Sequence, residues 1–269
     1  DRGSLEAGAA GCDVVYHAAA KVEDAGPWAE FLRDNVEGSR NAIEAAAAAG
    51  AGRFVHVSTE AVLIAGDPLV NVDETFPLRL DSKAPYPRSK AMAEQAVLGA
   101  SGIERVIVRP RFVWGAGDTS LLPNILAMVR SGRFAWIGGG RQLTDTAHVD
   151  SVVEGLTLAA AKGRDGEVYF VTDAEPVVFR EFVSELISSQ GVEPPSRSIP
   201  APLAGALAAV GETAWNLLPL PGRAPLSRFA CWVSSQECTI DIAKARRELG
   251  YAPVRTREDG LAELRAAAA

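Results

Sequence analysis

The sequence predicts an α/β fold: a doubly wound parallel sheet followed by a smaller α+β lobe. Two observations predict it. Short β-type runs alternate with helical stretches over roughly the first 110 residues, and strands joined by helices of this length form right-handed βαβ units on a parallel sheet. After residue 110 the alternation loosens into shorter and less regular segments.

In chain order, residues 12–17 (CDVVYH) read as a buried strand, and 30–50 as a long Ala-rich helix ending at glycine. Residues 53–58 (RFVHVS) form the second strand, 86–99 a helix and 104–109 (ERVIVR) the third strand. A helix follows at 121–130, then short strands near 134–137 and 143–147, a helix at 151–161 and a strand at 167–171. Helices are expected at 179–190, 203–218, 241–249 and 257–267. The alanine runs form helix rather than low-complexity linkers, and there is no internal repeat.

A doubly wound dinucleotide fold begins with a strand, a glycine-rich turn and a helix N-terminus that cradles the pyrophosphate. Nothing of that kind precedes Asp13. Gly138, Gly139 and Gly140 lie late, lead into no helix, and read as a turn between two short strands. The sheet is therefore expected to be N-terminally truncated by two βα units, each roughly 30 residues.

Hydrophobic residues make up 48% and charged residues 23% of the 269-residue chain, an ordinary globular balance that argues against disorder. A net charge of −7 argues against nucleic acid as a partner, because phosphate binding is driven by clustered Lys and Arg. Three cysteines (Cys12, Cys231, Cys238) form no disulfide framework and fit a reducing, cytoplasmic setting. His17, His56 and His148 are too scattered for a metal site. Frequent Ala, Arg and Gly read as the coding bias of a GC-rich bacterial genome. No signal peptide is visible. The most apolar stretch, 202–220, contains Glu212 and Asn216, is interrupted by proline, and is too short to span a bilayer.

The sharpest chemical signal is Tyr86-Pro87-Arg88-Ser89-Lys90. Tyr and Lys four apart on a helix share one face. A nearby ammonium favours the phenolate over the neutral phenol, whose ordinary pKa is about 10. Tyr86 is then a general base for alcohol oxidation or an acid for ketone reduction. In isolation the pattern is weak, and an exposed tyrosine with a solvated lysine is its commoner meaning. Context strengthens it: Pro85 and Pro87 set a helix start, and Ser58-Thr59 ends a strand, where hydroxyls reach the crevice that holds ligands.

With these motifs the chain resembles the extended short-chain dehydrogenase/reductase superfamily, the NAD-dependent epimerase/dehydratase clan. It is most similar to the branch of 3β-hydroxysteroid and sterol-4-carboxylate 3-dehydrogenases. The resemblance runs through DVVYHAAA at 13–20, NVEGS at 35–39, VSTEAV at 57–62, Tyr86 with Lys90, and VRPRFVWG at 108–115. It continues through IGGG at 137–140, HVD at 148–150 and IDIAKARRELGY at 240–251.

The resemblance implies a Rossmann-like sheet over residues 1–118 and a mainly substrate-binding lobe over 119–269, with some segments returning to the sheet. It implies NAD or NADP, with NAD preferred. Ala18, Ala19 and Ala20 would line the adenosine and pyrophosphate, Asn35 the cofactor-side helix, and Pro110 and Val113 the nicotinamide. Lys90 would hold the ribose. Simple packing explains Ala18–Ala20 and Asn35 almost as well. Ser58 and Thr59 compete for the catalytic hydroxyl, and counting back from Val62 favours Thr59, leaving Ser58 beside the cofactor. His56 reads as packing and Asp150 as a helix N-cap.

Two departures bear on the reaction. Dehydratases of this clan carry T-D-E after the strand, whereas Thr59-Glu60-Ala61 lacks the second carboxylate. Nucleotide-sugar enzymes place an arginine where this chain has Thr144, and Arg141 starts three residues early. Leu203, Leu207, Val210, Trp215 and Leu218 recur at helical spacing. They read as core packing of the lobe, or as a lid over a lipophilic substrate or a surface touching membrane. The expected activity is oxidation or reduction of a secondary alcohol or ketone on a sterol- or terpenoid-like molecule. A nucleotide-sugar epimerase and a non-catalytic redox sensor are the alternatives. The resemblance implies a homodimer through the helices at 30–50 and 86–99.

Overall fold

The computed structural model describes residues 1–217 and 226–268. Helix α1 (Arg2–Ala9) leads into strand β1 (Val14–His17), and α2 (Trp28–Phe31) continues through a π-helical segment (Leu32–Glu37) into α3 (Gly38–Ala48). Strands β2 (Arg53–Val57) and β3 (Leu69–Val72) precede α4 (Pro85–Leu98), β4 (Glu104–Pro110) and β5 (Val113–Trp114). Next come α5 (Leu121–Arg130), β6 (Trp136–Ile137), β7 (Leu143–Thr144), β8 (Ala147–His148), α6 (Val149–Lys162) and β9 (Glu167–Val171). The remainder is β10 (Val177–Val178), α7 (Phe179–Ser189), β11 (Ser198–Ile199), α8 (Ala201–Leu217), α9 (Arg228–Ser235), β12 (Cys238–Ile240), α10 (Ala243–Leu249) and α11 (Arg257–Ala268).

The principal sheet runs β1-β2-β4-β9, all parallel. Its strands are short and rich in Val, Ile and Phe, which suits strands buried on both faces. Phe54 and Ile107 face α3 and α4 with Ala42, Ile43, Ala46 and Val97. Val55, Val106 and Val108 face the opposite side with Ala159 of α6 and Ala245 of α10. Small residues bring the helices close: a Cβ on Gly155 would lie 2.7 Å from Val171 Cγ2. Burying one aromatic such as Phe54 stabilises by about 1.5–3 kcal/mol. The fold is thus the doubly wound α/β sheet expected, and its parallel strands put β1, β2 and β4 C-terminal ends on one edge.

A second sheet, β10-β7-β12-β3, mixes parallel and antiparallel pairs. A separate core of Trp114, Trp136, Phe179, Phe182 and Leu186 lies under α5, α7 and α11.

Several expectations are corrected. The helix expected over 30–50 begins at Trp28 and passes through the π segment, where Asn35 is buried. The strand expected over 143–147 is two strands, because Asp145 and Thr146 turn inward to accept from Ile240 N and to donate to Asp173. Asp150 is not the N-cap of α6. His148 is: its Nδ1 accepts from Asp150 N at 3.2 Å, and Asp150 pairs with Arg255. The three glycines at 138–140 all have positive φ in a tight turn, where glycine avoids the Cβ penalty. In α8, Leu203, Leu207 and Val210 form an exposed stripe, so they are not core; Leu218 lies outside the described residues.

Candidate active site

The strand edge gathers the sequence-predicted residues. Ala18 and Ala19 are exposed and Ala20 is half-buried just past β1. Ser58 and Thr59 leave β2, and Pro110 ends β4. Val113, in β5, is 40% exposed. Helix α4 starts at Pro85, whose missing N–H costs nothing at a first helical position. The helix carries Tyr86 toward Thr59 and lays Lys90 along β2.

Lys90 is 3% exposed, and its Nζ donates to Val57 O at 2.8 Å. Burial pushes its pKa down to about 8, and the Glu94 carboxylate opposes that shift. Tyr86 is half-buried as a residue, with its ring 5.5 Å from Phe229 of α9. Its hydroxyl titrates above the ordinary tyrosine range. Burial is the main cause and the Glu60 carboxylate adds to it.

Asn35 sits in the π segment, a geometry that often marks functional sites. Its amide accepts from Lys21 N at 2.6 Å and donates to Lys21 O and Ser89 Oγ. It therefore ties the loop after β1 to α4, and Ser89 in turn bonds Tyr86 O. His17 Nε2 meets Ser39 Oγ at 3.2 Å. Burial first, then Lys90, pushes the His17 pKa down to about 4. His56 is stacked on His17 and Phe54. Neither His56 ring nitrogen has a partner among the described residues, in keeping with a packing role.

Two charged pairs behind the hydroxyls were not anticipated. Ser58 Oγ donates to Glu94 Oε2 at 2.7 Å, and Glu94 pairs with Arg109. Thr59 Oγ1 donates to Glu60 Oε2 at 2.8 Å, and Glu60 pairs with Arg111. One signal was available: Glu94 lies four residues after Lys90 on the same helical face. Glu60 with Arg111 had none, since the partners are 51 positions apart. Thr144, at the position where nucleotide-sugar enzymes place arginine, is buried and accepts from Arg111; Arg141 is exposed.

A parallel doubly wound sheet with a helix-borne tyrosine and lysine at its C-terminal edge, beside a strand-end hydroxyl, defines the short-chain dehydrogenase/reductase class of oxidoreductases. Within that class the chain belongs to the 3-beta hydroxysteroid dehydrogenase/isomerase family, whose match covers residues 1–201. It is 48% identical over 268 residues to a 4-hydroxy-2-methyl-3-oxo-4-farnesyl-3,4-dihydroquinoline-1-oxide ketoreductase of Stigmatella aurantiaca, spanning 99% of this chain and 80% of that one. It is 36% identical to a 2-alkyl-3-oxoalkanoate reductase of Stenotrophomonas maltophilia, over 97% of this chain and 82% of that one. Among solved structures, dTDP-glucose 4,6-dehydratase DesIV from Streptomyces venezuelae with NAD and TYD bound superposes with a TM-score of 0.75. That structure is 26% identical, and the match covers 99% of this chain and 76% of that one. No helix among the described residues is long and apolar enough to cross a membrane.

Proposed function

We propose that this chain is a nicotinamide-dependent reductase of a lipophilic ketone, acting through Tyr86, Lys90 and Thr59. The observation that carries the reading is geometric: Tyr86 and the buried Lys90, one turn apart on α4, lie at the C-terminal end of β2 beside Thr59, and burial with Glu60 raises the Tyr86 hydroxyl above its ordinary range. A tyrosine in that state is a proton donor, as ketone reduction requires. The names of the two relatives above, a ketoreductase and a 3-oxoalkanoate reductase, agree with that direction.

A nicotinamide dinucleotide fits the strand edge. The buried Lys90 ammonium has three N–H donors and one protein carbonyl within reach, which leaves donors for ribose hydroxyls. Ala18, Ala19 and Ala20 would flank the adenosine and pyrophosphate, and Pro110 and Val113 the nicotinamide. When bound, the cofactor supplies the hydride that converts the carbonyl carbon to a secondary alcohol carbon. The C=O electron pair moves onto oxygen, which takes the Tyr86 proton. Thr59 fixes the position of the Tyr86 hydroxyl; the expected support of the phenolate by Lys90 is not seen, since Tyr86 is raised by burial and Glu60, and Lys90 serves the ribose instead.

For the substrate, the Phe229 ring of α9 packs against Tyr86 with centroids 5.5 Å apart, which sets an apolar side chain beside the hydroxyl. The exposed stripe Leu203, Leu207 and Val210 on α8 gives a lipophilic molecule an apolar approach. Against a nucleotide sugar, Thr144 is committed to Arg111 and Arg141 stands at the surface.

The test is NADH and NADPH consumption by the full gene product with long-chain 3-oxo acids, prenylated or steroidal ketones and UDP-sugars. Cofactor-dependent reduction of a lipophilic ketone, lost in Tyr86→Phe, is expected. Turnover of UDP-sugars alone, with no net cofactor consumption, would overturn the reading in favour of an epimerase.

A further inference from the structure

The two hydroxyls at the end of β2 each donate their one hydrogen bond to a buried carboxylate. Thr59 Oγ1 donates to Glu60 Oε2 at 2.8 Å and accepts from Ala61 N at 3.2 Å. A hydroxyl has one proton and two lone pairs, so what remains at Thr59 is one lone pair. Ser58 Oγ likewise donates its one hydrogen bond to Glu94. In this arrangement neither can donate to a carbonyl oxygen. Tyr86 is the donor left among the three, and toward it Thr59 can only accept.

The commitment of Thr59 is enforced from behind. Arg111 holds the second Glu60 oxygen and donates through Nε and Nη2 to Thr144 Oγ1 at 3.3 and 3.0 Å. Thr59, Glu60, Arg111 and Thr144 are 8%, 4%, 1% and 0% exposed. A buried carboxylate pinned by a guanidinium cannot swing away, and Thr59 has no other partner of comparable strength for its proton.

We propose that Glu60, clamped by Arg111, is a positioning residue that makes Thr59 an acceptor and so keeps the transferable proton on Tyr86. The proposal rests on the reading of Tyr86 as the proton donor. Other charges face this group from every side. Asp145, after β7, and Cys238, on β12, lie around the Arg111 guanidinium. Lys90, on the helix of Tyr86, faces Glu94 from α4 and His17 and His56 from β1 and β2. On α9, Arg228 beside Phe229 is paired with Glu212. Of these groups, Glu60 is the carboxylate that bears on the Tyr86 hydroxyl.

Glu60→Gln keeps the shape and removes the charge, and Glu60→Asp keeps the charge. In the full gene product, the alkaline limb of kcat/KM for ketone reduction should move down by roughly one pH unit or more in Glu60→Gln, the size of a neighbouring-charge effect, and return in Glu60→Asp. A purely structural role would lower the rate equally at all pH values. A readout without cofactor is the ¹³Cζ resonance of Tyr86, assigned by its loss in Tyr86→Phe, which should begin to titrate at lower pH in Glu60→Gln than in the wild type. Where an unpaired Arg111 unfolds the single variant, Glu60→Gln/Arg111→Gln removes both members of the pair and should give the same downward shift.

An unmoved limb and an unmoved resonance in a folded charge-neutral variant would overturn the role of Glu60 while leaving that of Tyr86 standing. Full activity in Tyr86→Phe would instead overturn the reading beneath it.

Discussion

The two ion pairs that flank Pro110 are built alike and sit in different places. On one side Ser58, Glu94 and Arg109 form a chain. On the other, Thr59, Glu60 and Arg111 form the same chain. Each begins at a strand-end hydroxyl and ends at an arginine. The first ends in scaffold, with the Arg109 guanidinium 5.2 Å from the Phe170 ring centroid, and meets the site through Lys90, which Glu94 faces from the same helix α4. The second borders Tyr86 and reaches Thr144 and Asp145 beyond the principal sheet. One construction therefore serves rigidity where it meets apolar packing, and proton placement where it meets a titratable hydroxyl.

The largest expected effect separates the tyrosine from both pairs. Tyr86→Phe deletes the proton donor and keeps the ring against Phe229. Ketone reduction should fall by about 10²–10⁴-fold while the melting temperature stays near that of the wild type. A loss of both together would mean that Tyr86 is scaffold, like the Glu94 chain.

Next in size is the cost of breaking the scaffold pair. Glu94→Ala strands the buried Arg109 and should cost about 3–5 kcal/mol of stability in denaturant unfolding. Its conservative partner, Glu94→Gln, should lower stability while leaving the ¹³Cζ titration of Tyr86 far less displaced than Glu60→Gln does. Equal displacement by both substitutions would erase the distinction drawn above. The hydroxyls repeat the contrast on a smaller scale. Ser58→Ala removes a bond to a charged acceptor and should cost about 1.5–3 kcal/mol. Thr59→Ala should in addition lower kcat by about tenfold or more, since it frees the Tyr86 hydroxyl.

The sequence showed one of these layers and hid the other. Alternating β runs and helices announced the parallel sheet, and Tyr86 with Lys90 announced the chemistry, because both are local patterns. β3 and β12 went unread: they are short, and what makes them strands is pairing with partners more than 160 residues apart, as Asn71 N to Thr239 Oγ1 illustrates. The α6 cap was assigned to Asp150 by residue preference, yet His148 takes the role because its backbone is held by Asp173 from a distant turn. The pairing of Glu60 with Arg111 follows from β2 and β4 being neighbours in the sheet. It becomes visible only once that order is known.

The smallest effect tests a third buried polar region, the stacked histidines beneath the site. His17 is held neutral with its pKa pushed down to about 4, and His56 lies well below the ordinary histidine value, both chiefly through burial. A histidine depressed in the folded state takes up its proton first in the unfolded chain. Stability from this source is thus complete above about pH 6.5 and is lost as pH falls toward 4. Asp145 runs the other way: burial raises it to about 6, so its contribution is present below its unfolded value and is lost as pH rises through 6. With two histidines against one aspartate, the melting temperature should fall between pH 6.5 and 5. His56→Phe preserves the stack on His17 and Phe54 and removes one titrating ring. It should reduce the stability lost over the interval by at most about 2 kcal/mol. The comparison is of slopes, because a phenyl ring in a closely packed site carries its own pH-independent cost. An unchanged slope would place the acid sensitivity in His17 alone, beside Lys90, and would tie it to the catalytic edge rather than to the core.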